Sequence, residues 1–314
     1  MERTMERFKV TSSPHIRDVD SVTRLMGDVL LALLPATALA VYLYGLRALL
    51  LIVVTVLAAV ATEAVCQKLR KQTITINDLS AVVTGLLLAL NLPAGAPLWM
   101  GALGSIFAIF IVKQVFGGLG ENFMNPALAA RVFLAVSYPK LMGQYFDPAT
   151  DALSSATPLA LLKEGQMSEM PSMFDSFLGT VSGSIGESSA AALLIGGLYL
   201  LFRKVITWEI PVLFIGTVFV GTFLLYGFDA QVALFAILSG CVFLGGFFMA
   251  TDYATSPIHF NGRIVFALGA GLLTVLIRRF GAYPEGVMFA ILLMNAFTPA
   301  IEKFTAPKIF GGAK

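Results

Sequence analysis

Charge is what this chain has least of. Its 314 residues carry 21 Lys and Arg against 19 Asp and Glu, 13% of the total, where a soluble domain carries roughly 25%. Hydrophobic residues make up 57% and the mean hydropathy is +0.84. That much apolar surface does not fit inside one globule of this size, so the solvent it points to is lipid. Disorder and an ordinary cytosolic enzyme are excluded on the same ground. The net charge of +2 is too small to imply a nucleic-acid partner. Cysteine is scarce as well. Cys66 and Cys241 lie far apart in apolar stretches and form neither a CxxC nor a zinc pattern; they read as buried small hydrophobes, too few to hold an iron–sulfur cluster. The first 24 residues mix Arg3, Arg7, Lys9, Arg17 and Arg24 with four acids and lack an apolar core, so no cleavable signal is expected and the first span directs insertion.

Apolar runs are what is there. Ten candidate spans fall near 26–45, 47–67, 78–92, 97–116, 125–138, 187–202, 209–227, 230–250, 263–280 and 285–302. Their all-round apolarity predicts an all-α polytopic membrane protein rather than a barrel, whose strands would alternate. Gly101, Gly104, Gly196, Gly197, Gly216, Gly221, Gly269 and Gly271 suit close helix packing. The basic N-terminus, Lys68, Arg70, Lys71, Lys113, Arg203, Lys204, Arg263, Lys303, Lys308 and Lys314 predict one cytoplasmic side holding both termini. Arg278 and Arg279 violate that rule. The division expected is a cytoplasmic segment 1–25, a first membrane repeat 26–138, an acidic outer loop 139–186, a second repeat 187–302 and a cytoplasmic tail 303–314. Five spans per half force the halves into opposite topology, an inverted repeat, and Asn125-Pro126-Ala127 is matched weakly by Thr298-Pro299-Ala300.

Few residues inside the spans can carry chemistry. Asp28, Asp78, Glu209, Asp252 and Glu285 fall at span ends, where headgroups solvate them. Ser184-Ile-Gly-Glu187 before an apolar run is a capping box. Arg131 lies inside the short fifth span and needs a water-filled pocket, a carboxylate or an anion, unless it snorkels to the interface. Phe116-Gly-Gly-Leu-Gly-Glu-Asn122-Phe-Met-Asn125-Pro126 is not a dinucleotide fingerprint, since Phe123 stands where a third glycine belongs. Asn125 before Pro126 predicts an N-cap and first helical residue. The half-length helix so begun opens its positive end onto a glycine-rich turn. In the outer loop Pro158 puts Thr157 at the N-cap of a short helix.

Several segments together carry a resemblance over nearly the whole chain. They are Ser13-Pro-His15, Asn77-Asp78-Leu-Ser-Ala-Val-Val-Thr-Gly85, Phe116 to Ala127, Ser154-Ser-Ala-Thr-Pro-Leu159, Gly183 to Glu187, Phe248-Met-Ala-Thr-Asp252-Tyr253 and Tyr283-Pro-Glu-Gly286. The chain resembles the D subunits of Rnf complexes, ion-translocating ferredoxin:NAD oxidoreductases. More distantly it is similar to the B subunit of the sodium-pumping NADH:quinone reductase. The resemblance implies two inverted five-helix repeats like those of urea transporters, in a bacterial or archaeal cytoplasmic membrane with the flavin loop on the outer side. It also implies FMN attached by a flavin transferase to the last hydroxyl of a motif like Asp-x-x-Ser-Gly-Ala-Thr. On this sequence that hydroxyl is Thr157, with Asp151, Ser154, Ser155 and Ala156 as motif partners; Ser155 stands where glycine is expected. A second flavin, riboflavin, is implied near Asn122 and Asn125 of the glycine-rich loop; with Arg131 these residues are candidates for that flavin or for an anion. Asp78 and Asp252 are candidates for polar contacts along the path of Na+ or H+. The implied role is electron relay among the other Rnf subunits. A small-solute channel or ion carrier with the same fold and no redox role is the competing expectation.

Overall fold

A computed structural model describes residues 21–146, 153–154, 157–164, 170–179 and 181–307. The fold is mostly helical, and each of the ten apolar segments holds helix. α1 (Val22–Leu69) starts at Ser21, whose hydroxyl accepts from the Arg24 amide. At 48 residues it would run roughly 72 Å if straight, far beyond a hydrocarbon core of about 30 Å. Gly45, at φ 64° and ψ −145°, breaks it into two arms. The arms fold back, because the Thr23 hydroxyl near the start donates to the Asn77 carbonyl just past the end.

The first half continues through α2 (Ser80–Leu90), α3 (Leu98–Gln114, π-helical from Phe107) and α4 (Pro126–Ser137). Then come α5 (Pro139–Met142) and a two-residue ladder of β1 (Tyr145–Phe146) against β2 (Leu153–Ser154), followed by α6 (Pro158–Glu164) and α7 (Met173–Leu178). The second half is α8 (Ala190–Phe202), α9 (Glu209–Leu225), α10 (Ala230–Leu238), α11 (Val242–Met249), α12 (Phe260–Phe280) and α13 (Val287–Thr305). Among the described residues three helices, α1, α12 and α13, are long and apolar enough to cross a membrane. The bent pair α10–α11 makes a fourth, and α2, α3, α4, α8 and α9 are shorter apolar helices. Outward Leu57, Ile195, Val220 and Phe297 leave apolar surface along their lengths.

Contacts sort the helix ends onto two faces. On one lie Thr23 with Asn77, Arg70 with the Gln114 carbonyl, Asp28 with Arg203, Glu209 with Arg263, and Glu302 with the Ile258 amide. On the other lie the Gly45 turn, where Arg47 covers Phe146, the Pro93–Ser184 bridge, and Lys163 on the carbonyls of Gly281 and Ala282. We call these the Thr23 face and the Thr157 face.

Two expectations about charge change here. Lys113 is not a free base at a membrane surface: it is 2% exposed and paired with Glu63 at 2.7 Å. Arg278 is not a charge stranded on the wrong side. α10 and α11 meet at a 63° bend where Gly240 and Cys241 are left-handed, at φ 73° and 57°. A break of that kind frees carbonyls that need donors. The buried Arg278 guanidinium supplies them to Ala236 (2.6 Å), Ser239 (3.1 Å) and Gly240 (3.0 Å). Arg47 is a further basic residue on the Thr157 face, held over the Phe146 ring at 4.7 Å.

Small residues serve packing as expected at Gly196, where an added Cβ would collide with the Ala32 carbonyl; Gly216 instead faces open space. Asn125-Pro126 opens α4, whereas Thr298-Pro299 lies inside α13. The two Pro motifs therefore do different work, and the short sequence match between halves does not mark equivalent positions. The capping box at Ser184 and Glu187 is present, on a 3-10 turn (Ile185–Ser188); α8 then takes its own cap from Ser189.

Candidate functional site

Two cavities hold Thr157, Arg131, Asn122, Asn125 and Asp252. The larger, about 160 Å³, lies on the Thr157 face between α4, α6 and α13 and is lined by Arg131, Tyr145, Thr157, Tyr283, Glu285 and Phe289 among others. Thr157 is 7% exposed, and its hydroxyl accepts from the Ala160 amide at 3.2 Å. It caps α6 as expected. That helix has only seven residues, too short for its dipole to supply much positive charge.

The positive charge comes from Arg131. Asn125 starts α4 by accepting from the amides of Ala127 (3.0 Å) and Leu128 (3.2 Å), and Pro126 fits the first helical turn, where no amide is needed. The helix then carries Arg131 inward, where it is 2% exposed. It does not snorkel. Its Nη2 donates to both Glu285 oxygens, at 3.3 and 3.2 Å, and the Tyr145 hydroxyl donates to Glu285 Oε1 at 2.8 Å. Glu285 is thus buried in an ion pair rather than solvated at a span end. Its backbone carbonyl is also held, by Arg278 Nε at 2.9 Å. Burial first, and then the adjacent Glu285 carboxylate, push the Tyr145 phenol well above its ordinary range, so it stays a donor. Among the described residues Arg131 Nε is buried without a partner. Leaving such a donor unpaired costs about 1–3 kcal/mol, more for a charged group. Tyr283 and Phe289 stack beside it with centroids 4.8 Å apart.

The second cavity, about 100 Å³, is lined by Ser80, Lys113, Asn122, Asn125, Phe248 and Asp252 among others. Here the glycine-rich turn uses left-handed Gly117, Gly118 and Gly120. Asn122 bonds the Met124 carbonyl at 3.2 Å, and Asn125 Nδ2 reaches the Met249 carbonyl at 3.3 Å, tying α4 to α11. Lys113 Nζ donates to Glu63 Oε1 (2.7 Å) and Ser80 Oγ (2.6 Å). Asp78 Oδ1 accepts from the Ser80 amide and hydroxyl at 2.8 and 2.6 Å. One chain of bonds therefore runs from Asp78 through Ser80 and Lys113 to Glu63. Asp252 stands on the same cavity wall and accepts from Thr255 Oγ1 at 3.1 Å. Burial raises its carboxyl above the usual range, while bonds from Thr255, the Ala254 amide and Asn122 oppose that rise.

The structure therefore separates residues that the sequence placed together. Asn122 and Asn125 share one cavity; Arg131 belongs to the other, with Thr157. Ser154 lies on β2, whose backbone pairs with β1. Asp151, Ser155 and Ala156 lie outside the described residues. No cluster of three or more His, Cys, Asp or Glu side chains suited to a metal occurs among the described residues; Asp252 lines the cavity, whereas Asp78 is joined to it only through Ser80. Sequence reading misses three partners. Glu63 sits in an apolar run with no local motif, and Tyr145 lies outside every span. Cys241 reads as a hydrophobe but meets Glu187 Oε1 and Asn91 Oδ1 at the α10–α11 break.

Comparison with known proteins settles the family. The pattern of the NQR2, RnfD, RnfE family matches residues 9–311. The chain belongs to this family. It is 55% identical over 308 residues to the D subunit of the Na(+)-translocating ferredoxin:NAD(+) oxidoreductase complex of Acetobacterium woodii, covering 97% of this chain and 96% of that protein. It is 46% identical over 318 residues to the D subunit of the proton-translocating ferredoxin:NAD(+) oxidoreductase complex of Clostridium ljungdahlii, with 97% and 96% covered. The D subunit of the ion-translocating oxidoreductase complex of Stutzerimonas stutzeri is 40% identical over 331 residues, with 93% and 92% covered. Both cavities of this NQR2, RnfD, RnfE family chain fall inside the matched range.

Proposed function

We propose that this chain is the membrane flavoprotein subunit of an ion-translocating ferredoxin:NAD oxidoreductase complex. Thr157 holds FMN as a phosphate ester, and the electron relay is coupled to movement of Na+ or H+. The observation that carries this reading is the Thr157 cavity. A buried hydroxyl shares it with a guanidinium that has an unused donor and with stacked aromatic rings. That combination fits a phosphate ester with a planar ring system attached. FMN, when bound, supplies the redox-active ring; the chain's part is to hold the phosphate, place the aromatic walls and keep Tyr145 protonated.

Ten spans in two inverted halves of five carry the site, with both termini cytoplasmic and Thr157 on the outer face. The two sets of helix-end contacts support that parity, and Lys68, Arg70, Lys71, Arg203, Lys204, Arg263 and Lys303 on the Thr23 side support the orientation. A flavin transferase and the other complex subunits are the partners. Riboflavin belongs to the second cavity, with Asn122 and Asn125 on its wall, and Asp78 and Asp252 lie along the ion's path there. Relatives named for sodium and for protons are both near this chain, so the coupling ion is one of these two.

The test is to coexpress the chain with the transferase and look for flavin fluorescence on a denaturing gel. A fluorescent band that Thr157→Ala abolishes is expected. A dark wild-type band would sink the flavoprotein reading and favour a channel or carrier without a redox role. A fluorescent Thr157→Ala band would move the attachment site.

A further inference from the structure

The Arg131–Glu285 pair is built in a way that leaves something over. A guanidinium normally meets a carboxylate as a fork, through two nitrogens at once. Here both contacts to Glu285 pass through Nη2 alone, at 3.3 and 3.2 Å. Nε stays buried and unpartnered, and Arg131 lines the cavity that Thr157 also lines. Glu285 is held where it is from two sides, by the Tyr145 hydroxyl at 2.8 Å on its side chain and by Arg278 Nε at 2.9 Å on its backbone. Its carboxylate is anchored at one end of the guanidinium.

Arg278 gives its remaining bonds to backbone carbonyls rather than to a carboxylate. Glu187, the next acid, is turned to Cys241 and the Ser184 amide. Two guanidinium groups therefore meet at Glu285, Arg131 on its carboxylate and Arg278 on its carbonyl, and of the two only Arg131 lines the cavity shared with Thr157.

We propose that Arg131 is the cation that receives the phosphate esterified to Thr157, with Glu285 and Tyr145 as the residues that position it. This rests on the reading of Thr157 as the attachment site, and deepens it by naming what recognises the phosphate. Arg131 thereby leaves the neighbourhood of the glycine-rich turn and acquires a role on the opposite face.

The test uses the whole complex made with its flavin transferase, comparing wild type with Arg131→Met, Arg131→Lys and Glu285→Gln. Covalent FMN per chain is read by in-gel fluorescence, and the phosphate environment by phosphorus NMR of the loaded complexes. Arg131→Met should lose roughly tenfold or more in loading, the equivalent of one charge-assisted bond. Arg131→Lys should recover part of it with a shifted phosphorus resonance. Glu285→Gln keeps the cation and can still accept from it through the amide oxygen, so it should lose less loading than Arg131→Met. A purely structural ion pair predicts a different pattern, in which Arg131→Met and Glu285→Gln fail together; that result overturns the proposal. So does full loading of Arg131→Met, or an unchanged phosphorus resonance in Arg131→Lys. If Arg131→Met does not accumulate in the membrane, Arg131→Lys and Glu285→Gln decide alone. A dark wild type would instead strike the attachment reading itself, which separates the two failures.

Discussion

The two cavities are built around buried ion pairs with opposite remainders. At the Thr157 cavity the carboxylate is well supplied: Glu285 takes Tyr145 and Arg131 on its side chain, and the group left over is a donor, Arg131 Nε. At the other cavity the cation is well supplied. Lys113 reaches Glu63 and Ser80, and Glu63 Oε1 also accepts from Gln114 at 3.0 Å. The group left over in that pair is an acceptor, Glu63 Oε2, on a residue that does not itself line the cavity. A spare buried donor suits an anion and a spare buried acceptor does not. Two buried ion pairs in one chain thus leave opposite remainders, and only the spare donor, on Arg131, belongs to a residue on a cavity wall.

Breaking a pair from one side gives the largest effect. Lys113→Met strands a carboxylate that is 1% exposed and should cost about 3–5 kcal/mol, whereas Lys113→Met with Glu63→Leu should recover most of that loss. Thermal unfolding in detergent measures both. Equal destabilisation by the single and double variants would show that the pair's charge is not what matters. A smaller change sharpens the contrast on the Thr157 face. Tyr145→Phe deletes a bond to a charged acceptor and should cost about 1.5–3 kcal/mol, without touching the Lys113 pair. If its effect depends on Glu63, the two cavities are coupled rather than independent.

The smallest effect is a pH dependence at Asp252. Its carboxyl is raised in the folded protein, so the folded state holds the proton more tightly than the unfolded chain. The stability this provides is complete below the ordinary aspartate range, about 3.9. It is lost as pH rises through the higher folded value. Asp252→Asn should therefore melt with a flatter pH profile than wild type across the acid range. Superimposable profiles would remove Asp252 from the account.

Local chemistry is legible along the chain. Asn125-Pro126 names a helix start because an amide side chain caps exposed N–H groups and proline needs none. Ser184 and Glu187 name a turn for the same kind of reason. Ten apolar runs locate the helical segments, though α1 joins two of them and Gly240 with Cys241 divides another. Pairing at a distance is not legible. Lys113 and Glu63 are 50 residues apart, Arg131 and Glu285 are 154 apart, and no periodicity links them. Glu63 escapes a sequence reading because one acid in an apolar run has no pattern. Arg131 falls among its neighbours in sequence, which are not its neighbours in space.

Composition determined that the chain is apolar on its outside, since so few charges cannot solvate that much surface, and unbroken apolar runs without alternation determined that it is helical. It also determined where single helices begin, because capping needs only the next few residues. The tertiary structure decided which charges are paired, that Arg131 faces Thr157 rather than Asn122, and that Arg278 satisfies a broken helix instead of violating a charge rule. The reason is the same in each case. A buried charge must find its partner within a few ångströms, and folding brings that partner from wherever in the chain it lies.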